Sequence, residues 1–309
     1  MVCWQPLDAQ VVRTVGPSGA DYTTLRAAFA AVNSGALTGN ITFQVTGNLI
    51  ENNSAVLNAS GTGSPASNYS SIIVYPVAVG VSITGDLNAP LIDFNGAANV
   101  TIDGRVNATG AVRSMTIINL KASTNAGIST FRFINGANNN TIRYCHIKGS
   151  GANAATGTIL FSTASSQSGN HHNTLDHNAL TGNNENRPVN VVYSLGSTGS
   201  GLDNSYNVLI NNMFSDFLHY SRRSQAVYLG TGNSHWTISG NSFFETTGFS
   251  PSGGDVSYYI IYIESTSGTG FTVSGNFIGG QAAQCGGSAW SKSNAKNNLF
   301  CAIYLNAAT

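Results

Sequence analysis

Thr237-Ile238-Ser239-Gly240-Asn241-Ser242-Phe243 and, 35 residues on, Thr272-Val273-Ser274-Gly275-Asn276-Phe277-Ile278 are two copies of one pattern. Three more copies precede them, at 141–147, 174–180 and 208–214, so that successive starts lie 33, 34, 29 and 35 residues apart. Asn99-Val100-Thr101-Ile102-Asp103-Gly104 is a looser, earlier copy. A period near 30 built from strand-like units predicts a solenoid whose coils stack and share one core.

The columns of this alignment say how each unit is built. Ile142, Leu175, Leu209, Ile238 and Val273 form one apolar file, and Ile147, Leu180, Phe214, Phe243 and Ile278 form a second after a turn. Both must point inward. Between them Asn178, Asn212, Asn241 and Asn276 hold one position, with Cys145 on the first rung. Asn tolerates the left-handed backbone of a sharp corner, and stacked amides can hydrogen-bond from coil to coil. These four residues are expected to form a structural ladder.

A third strand follows each unit. Phe133, Phe161, Tyr193, Tyr228, Tyr262 and Tyr304 align there, flanked by aliphatic pairs such as Val227 and Leu229 or Ile303 and Leu305. Side chains alternate along a strand, so inward aliphatics turn the aromatic column outward. Rings repeating every roughly 5 Å would offer a ribbon on which sugar faces can stack. The segments 181–190, 215–224, 244–257 and 279–298 all leave the same corner and should wall that ribbon into a groove.

Composition agrees with an all-β, turn-rich chain. Gly and Asn supply 35 and 36 of 309 residues, while Lys, Arg, Asp and Glu together make only 8% and the formal net charge is zero. Nucleic acid calls for a basic stripe and anionic membrane for a polybasic segment, so neither is an expected partner. No apolar run approaches the roughly 18 residues of a membrane span, and membrane insertion is not expected. At 41% hydrophobic the chain can bury a large core.

Ahead of the repeats, Leu25, Ala28, Phe29 and Val32 fall at i, i+3, i+4 and i+7, one stripe of a short helix. Asp21 and Thr23 offer capping oxygens, and Gly35 stops the helix. The domain plan is a tail at 1–10, either a residual secretory signal or a segment foreign to the fold. An N-terminal strand and capping helix follow at 11–40, then a parallel β-helix at 41–309. Cysteines stand at 3, 145, 285 and 301 without metal-site spacing, so no zinc or other metal is expected. Cys285 and Cys301 are candidates for one disulfide in an oxidising compartment.

These features resemble the right-handed parallel β-helix proteins of the pectate-lyase-like superfamily. The likeness is nearest to β-helix regions of type IX-secreted bacterial surface proteins. It is carried by the opening Val15-Gly16-Pro17-Ser18-Gly19-Ala20-Asp21-Tyr22-Thr23-Thr24-Leu25, which is also similar to that of pectin methylesterases, and by Ala226-Val227-Tyr228-Leu229-Gly230, Trp236-Thr237-Ile238-Ser239-Gly240-Asn241 and Ile303-Tyr304-Leu305. The resemblance implies about nine right-handed coils behind an N-terminal capping helix. It also implies a secreted, extracellular or cell-surface protein with a structural, adhesive or glycan-binding role.

The same superfamily contains lyases of acidic polysaccharides, the alternative reading, for which calcium would be the expected cofactor. Such enzymes need a neutraliser for a uronate carboxylate and a base for the adjacent proton. The chain has no Asp-x-Asp or Asp-Asp pair to hold calcium. Its sharpest polar cluster is Asp216, His219, Tyr220, Arg222 and Arg223 in one loop, with Glu245 in the next. These are the catalytic candidates if there is catalysis; without it, Arg222 and Arg223 join Tyr193, Tyr228, Tyr262 and Tyr304 as ligand-binding candidates for an acidic glycan. Arg143 is expected to pair with Asp176 one coil on. End-to-end self-association, or further domains of a longer chain, is expected at the C-terminal coil, where Lys292 and Lys296 are the nearby charges.

Overall fold

The fold is described from a computed structural model over residues 10–162, 168–184 and 186–308. The expected tail, with Cys3, falls on residues 1–9, outside the described residues. Three large sheets of nine, eight and eight strands make up the body, and their paired strands all run parallel. The chain visits the first, second and third sheets in turn, so neighbours within a sheet are one visit apart in sequence. The architecture is all-β with sheets stacked in strand order, consistent with a parallel β-helix.

Both predicted core files are borne out in register. Ile142 pairs with Leu175, then Leu209, Ile238 and Val273, in the first sheet. Ile147, Leu180, Phe214, Phe243 and Ile278 follow one another in the second. All but the last member of each file are fully buried, each burial stabilising by about 1.5–3 kcal/mol. The looser copy at 99–104 belongs to the same first-sheet column, since Thr101 pairs with Thr141.

The helix, Leu25–Asn33, buries Leu25, Ala28, Phe29 and Val32 as its stripe requires, and Gly35 closes it with a φ of 71°. Its cap, however, is Thr24, whose hydroxyl accepts from the Ala27 N–H at 3.1 Å. Asp21 instead accepts from the N–H and hydroxyl of Thr14, tying the first strand to the turn. A second anchor comes from 26 residues away, where the buried Glu51 carboxylate accepts from the N–H groups of Leu25 (2.6 Å) and Arg26 (3.2 Å). An anion at a helix N-terminus is favoured by the unpaired amides and the dipole together.

The asparagine column forms the expected ladder by a different backbone device. Asn178 donates from both its N–H (2.9 Å) and its Nδ2 (3.1 Å) to the Asn212 Oδ1; Asn212 does the same to Asn241, and Asn241 to Asn276. Each amide also donates to a carbonyl of the previous visit, as Asn212 does to Leu175. The left-handed residue is not the ladder Asn but the one before it: His177 (φ 54°), Asn211 (56°), Gly240 (66°) and Gly275 (61°). That residue turns outward, so the next can point its amide into the core.

Two further asparagine stacks use the same logic and escape the sequence reading. Asn140, Asn173 and Asn207 form one just before the first sheet, each of the first two donating to the Oδ1 of the next. Asn170 donates to Asn204 in another. The spacing Asn170-x-x-Asn173, Asn204-x-x-Asn207 carries the same 34-residue period and is the signal that finds them.

Candidate ligand groove

Register places Tyr193, Tyr228, Tyr262 and Tyr304 on one column of the third sheet, as expected. Phe133 and Phe161 do not belong to it. Phe161 pairs with Ser194 rather than Tyr193, and both phenylalanines are fully buried, stacked on each other at 4.5 Å. The column continues from Tyr193 into Leu160, Arg132 and Asp93. Arg132 and Asp93 form a two-pronged ion pair at 2.9 and 2.6 Å.

The four tyrosine rings lie nearly parallel, 5.0, 5.5 and 4.5 Å apart with interplanar angles of 12°, 11° and 13°. Their faces therefore cover one another. Tyr193 is 8% exposed, Tyr262 6% and Tyr304 37%. A ribbon of open faces for stacking sugars is thus corrected to a ribbon of ring edges and hydroxyls, with one less covered ring at Tyr304.

Arg223 joins this ribbon, with its guanidinium 4.8 Å from the Tyr259 ring centre and 4.9 Å from that of Tyr262. Glu264 lies two residues beyond Tyr262, and period-2 alternation puts it on the same face. Burial first, then the Glu264 charge, pushes the Tyr228 hydroxyl up, while Arg223 pulls it down. Between ribbon and loops opens a cleft of about 210 Å³, bounded by Tyr193, Tyr228, Arg223, Gln225 and Glu264, with Ala154 and Val189 as its apolar side. The cleft therefore carries one cation, one anion, an amide and phenol hydroxyls.

The other polar candidates do not converge on it. Arg222 is exposed, and protonation of His219 is disfavoured first by burial and then by the charges of Arg222 and Arg187. Asp216 and Glu245 are drawn instead to Arg187, which the sequence reading passes over. Arg187 donates to Glu245 and to the Leu218 carbonyl (3.1 Å), approaches Asp216 at 3.6 Å, and lies 4.6 Å above the Tyr220 ring. Glu245 is 1% exposed and also accepts from the N–H groups of Phe217 and Leu218, both at 3.1 Å. Burial pushes its carboxyl up to about 7, against the pull of Arg187. Enclosed by these donors and buried from solvent, the Glu245 carboxyl pins the 215–224 loop. Of the catalytic candidates, Asp216 and Glu245 meet at Arg187, His219 feels the charges of Arg187 and Arg222, and Arg223 stands apart against the Tyr259 and Tyr262 rings.

Arg143 pairs with Asp103 at 2.8 Å rather than with Asp176, which holds the His177 ring nitrogen at 2.5 Å. Asp103 lies one visit back in register and, fully buried between Arg105 and Arg143, is the stronger acceptor. Cys285 and Cys301 are both free: Cys285 sits in a left-handed turn of the 279–298 loop, whereas Cys301 is fixed in the third sheet opposite Tyr259. Among the described residues no three His, Cys, Asp or Glu side chains are grouped to hold a metal ion, and no helix is long and apolar enough to cross a membrane. No family model matches the chain, and no curated protein and no solved structure matches it either.

Proposed function

We propose that this chain is a right-handed parallel β-helix of about nine coils, of the pectate-lyase-like kind found in type IX-secreted surface proteins. In this reading it is extracellular or cell-surface and binds glycans without turning them over. The observation that carries the proposal is the cleft beside the tyrosine ribbon, where Tyr228, Gln225, Glu264 and Arg223 bring donors and acceptors of both charges to one edge. Sugar hydroxyls are recognised by such convergent polar groups, and a sugar carboxylate or sulfate would pair with Arg223. The ring faces being occupied, a glycan would run along the hydroxyl edge. The outer edge of Leu299–Ala307, with Leu299, Ile303 and Leu305 exposed, is where end-to-end self-association or further domains would add.

The test is affinity electrophoresis against neutral and acidic polysaccharides. Tyr228→Phe removes one hydroxyl and keeps the stack, so it should weaken binding several-fold with an unchanged melting temperature. Arg223→Ala should matter for acidic glycans only. Wild-type binding by both variants would sink the proposal. Unsaturated products released from a uronate polymer, with or without calcium, would replace it with the lyase reading.

A further inference from the structure

Away from the tyrosine ribbon, the 244–257 and 279–298 loops and the start of the last strand enclose a second hollow of about 220 Å³. Its walls are Leu218, Phe249, Tyr258, Trp290 and Phe300. Its rim is Ser291, Lys292 and Asn298; among the described residues no acid lines it, although the charge of the buried Glu245 acts on the Tyr258 hydroxyl from behind the wall. The rings meet edge to face: Phe249 and Tyr258 at 5.2 Å and 89°, Trp290 and Phe300 at 5.1 Å and 80°. Four aromatic walls around one small space make a box for a single flat ring, well below the roughly 300 Å³ at which pockets for drug-sized ligands begin.

The box is preformed. Phe249 and the 291–293 segment exchange backbone hydrogen bonds at 2.9 and 3.0 Å, Asn294 donates to the Pro251 carbonyl at 2.6 Å, and Asn298 donates to the Gly253 and Val256 carbonyls. Loops zipped in this way do not have to be ordered by a ligand, which keeps the cost of binding low. Two polar features set its chemistry. Lys292 is exposed at the rim, where its ammonium donates to the Lys296 carbonyl and the Asn298 Oδ1; an ammonium has three donors, so one is left. Tyr258 is 2% exposed, and its hydroxyl has no partner among the described residues. An apolar ring alone would leave the Lys292 donor at the rim unanswered, whereas a ring bearing a carboxylate answers it.

We propose that this box is a binding site for a monocyclic aromatic carboxylate, the ring held by Phe249, Tyr258, Trp290 and Phe300 and the anion facing Lys292. The site is separate from the tyrosine-edge cleft and does not rest on glycan binding.

Isothermal titration calorimetry with benzoate, benzyl alcohol and acetate tests it directly. Benzoate should bind, benzyl alcohol about 2–5-fold more weakly because an exposed ion pair is worth little, and acetate not at all. Trp290→Ala should abolish binding of both ring compounds while the protein stays folded with a modestly lower melting temperature, since the ring also packs on Phe217. Lys292→Ala should bring benzoate down to the level of benzyl alcohol. The proposal is overturned if neither ring compound binds, or if Trp290→Ala binds them as wild type does. Acetate matching benzoate would overturn it too, as would benzoate binding untouched by Lys292→Ala.

Discussion

The corner between the first and second sheets is filled in two ways along a single column. In the earlier part of the chain Val81, Met115 and Cys145 occupy it, all buried. In the later part Asn178, Asn212, Asn241 and Asn276 continue the same column. Corner length accounts for Val81 and Met115, whereas Cys145 sits in a corner as short as the later ones, where its N–H donates to the Asn178 Oδ1 at 3.0 Å. Residues 104–114 intervene before Met115 and satisfy their own backbone, with Ser114 N–H on the Gly104 carbonyl at 2.7 Å and Ala108 N–H on that of Arg105 at 3.0 Å. Later corners leave two residues between strands, as between Asp176 and Ala179. A chain that turns so sharply has no room for a turn of its own, and water cannot reach its inward N–H groups. The amide of the next visit supplies the missing acceptor.

The largest expected effect comes from exchanging the two solutions. Asn212→Ala removes the acceptor of the buried Asn178 N–H and the side-chain donor to the Leu175 carbonyl, leaving a buried backbone N–H unpaired. It should cost about 2–4 kcal/mol in chemical denaturation. Met115→Asn puts an amide into an apolar corner whose backbone is already served, and should cost a similar amount through lost packing and an unpaired buried amide. A loss below 1 kcal/mol for either variant would mean that corner length does not decide the filling.

The next effect is a pH dependence located in the later loops. Because burial raises the Glu245 carboxyl to about 7 from 4.5, the native state keeps a proton that the unfolded chain has released between those values. Its contribution to stability must therefore fall as pH rises from about 4.5 to about 7, the reverse of a carboxylate whose pKa is lowered. Three histidines with lowered pKa act in the opposite sense over part of that range. The clean measurement is the difference between wild type and Glu245→Gln across the range, and a flat or rising difference would refute this account of Glu245.

In the earlier part the corresponding buried acid is Glu51, which holds the helix instead of a loop. Glu51→Gln keeps one acceptor and loses the charge at the helix N-terminus, a cost of about 1 kcal/mol. Thr24→Ala, which removes only a hydroxyl cap, should cost a comparable amount. Amide exchange at Ala27 and Ala28 would report both; unchanged exchange in Glu51→Gln would show that the helix is held by packing alone.

The same division explains which parts of the molecule could be read from the chain. The later visits are legible because four successive short corners repeat Asn at one position, so Asn178 to Asn276 set the frame and the files of Ile142 and Ile147 fall into place beside them. The strands before Asn99 have no such mark: their corners differ in length, and their inward residues are ordinary aliphatics such as Ile72, Val74 and Ile83. Shifting Phe161 into the tyrosine column was a one-residue register error, invisible where aromatic and aliphatic residues are adjacent. Arg187 eluded the sequence reading because its acid partner lies 58 residues away across two variable loops. The Tyr228 cleft was half legible: the column repeats, but Gln225 and Glu264 occur once each.

The smallest expected effect separates the two jobs done by adjacent corner residues. Asn211 has a φ of 56°, and its N–H donates to the Ser239 carbonyl at 3.1 Å, whereas Asn212 carries the ladder. If position 211 only has to turn the backbone, a side chain is not needed there. Asn211→Gly relieves the left-handed conformation in the folded chain but loosens the unfolded one, so the two terms nearly cancel and stability should stay within about 0.5 kcal/mol. Asn211→Val keeps a side chain but makes the conformation costly, by about 1–2 kcal/mol. The aligned positions already sample this freedom, being Tyr144, His177, Asn211, Gly240 and Gly275, all with positive φ. Denaturation midpoints for the two variants settle the point. A glycine as damaging as Asn212→Ala would mean that the outward side chain, and not the inward amide alone, holds the corner.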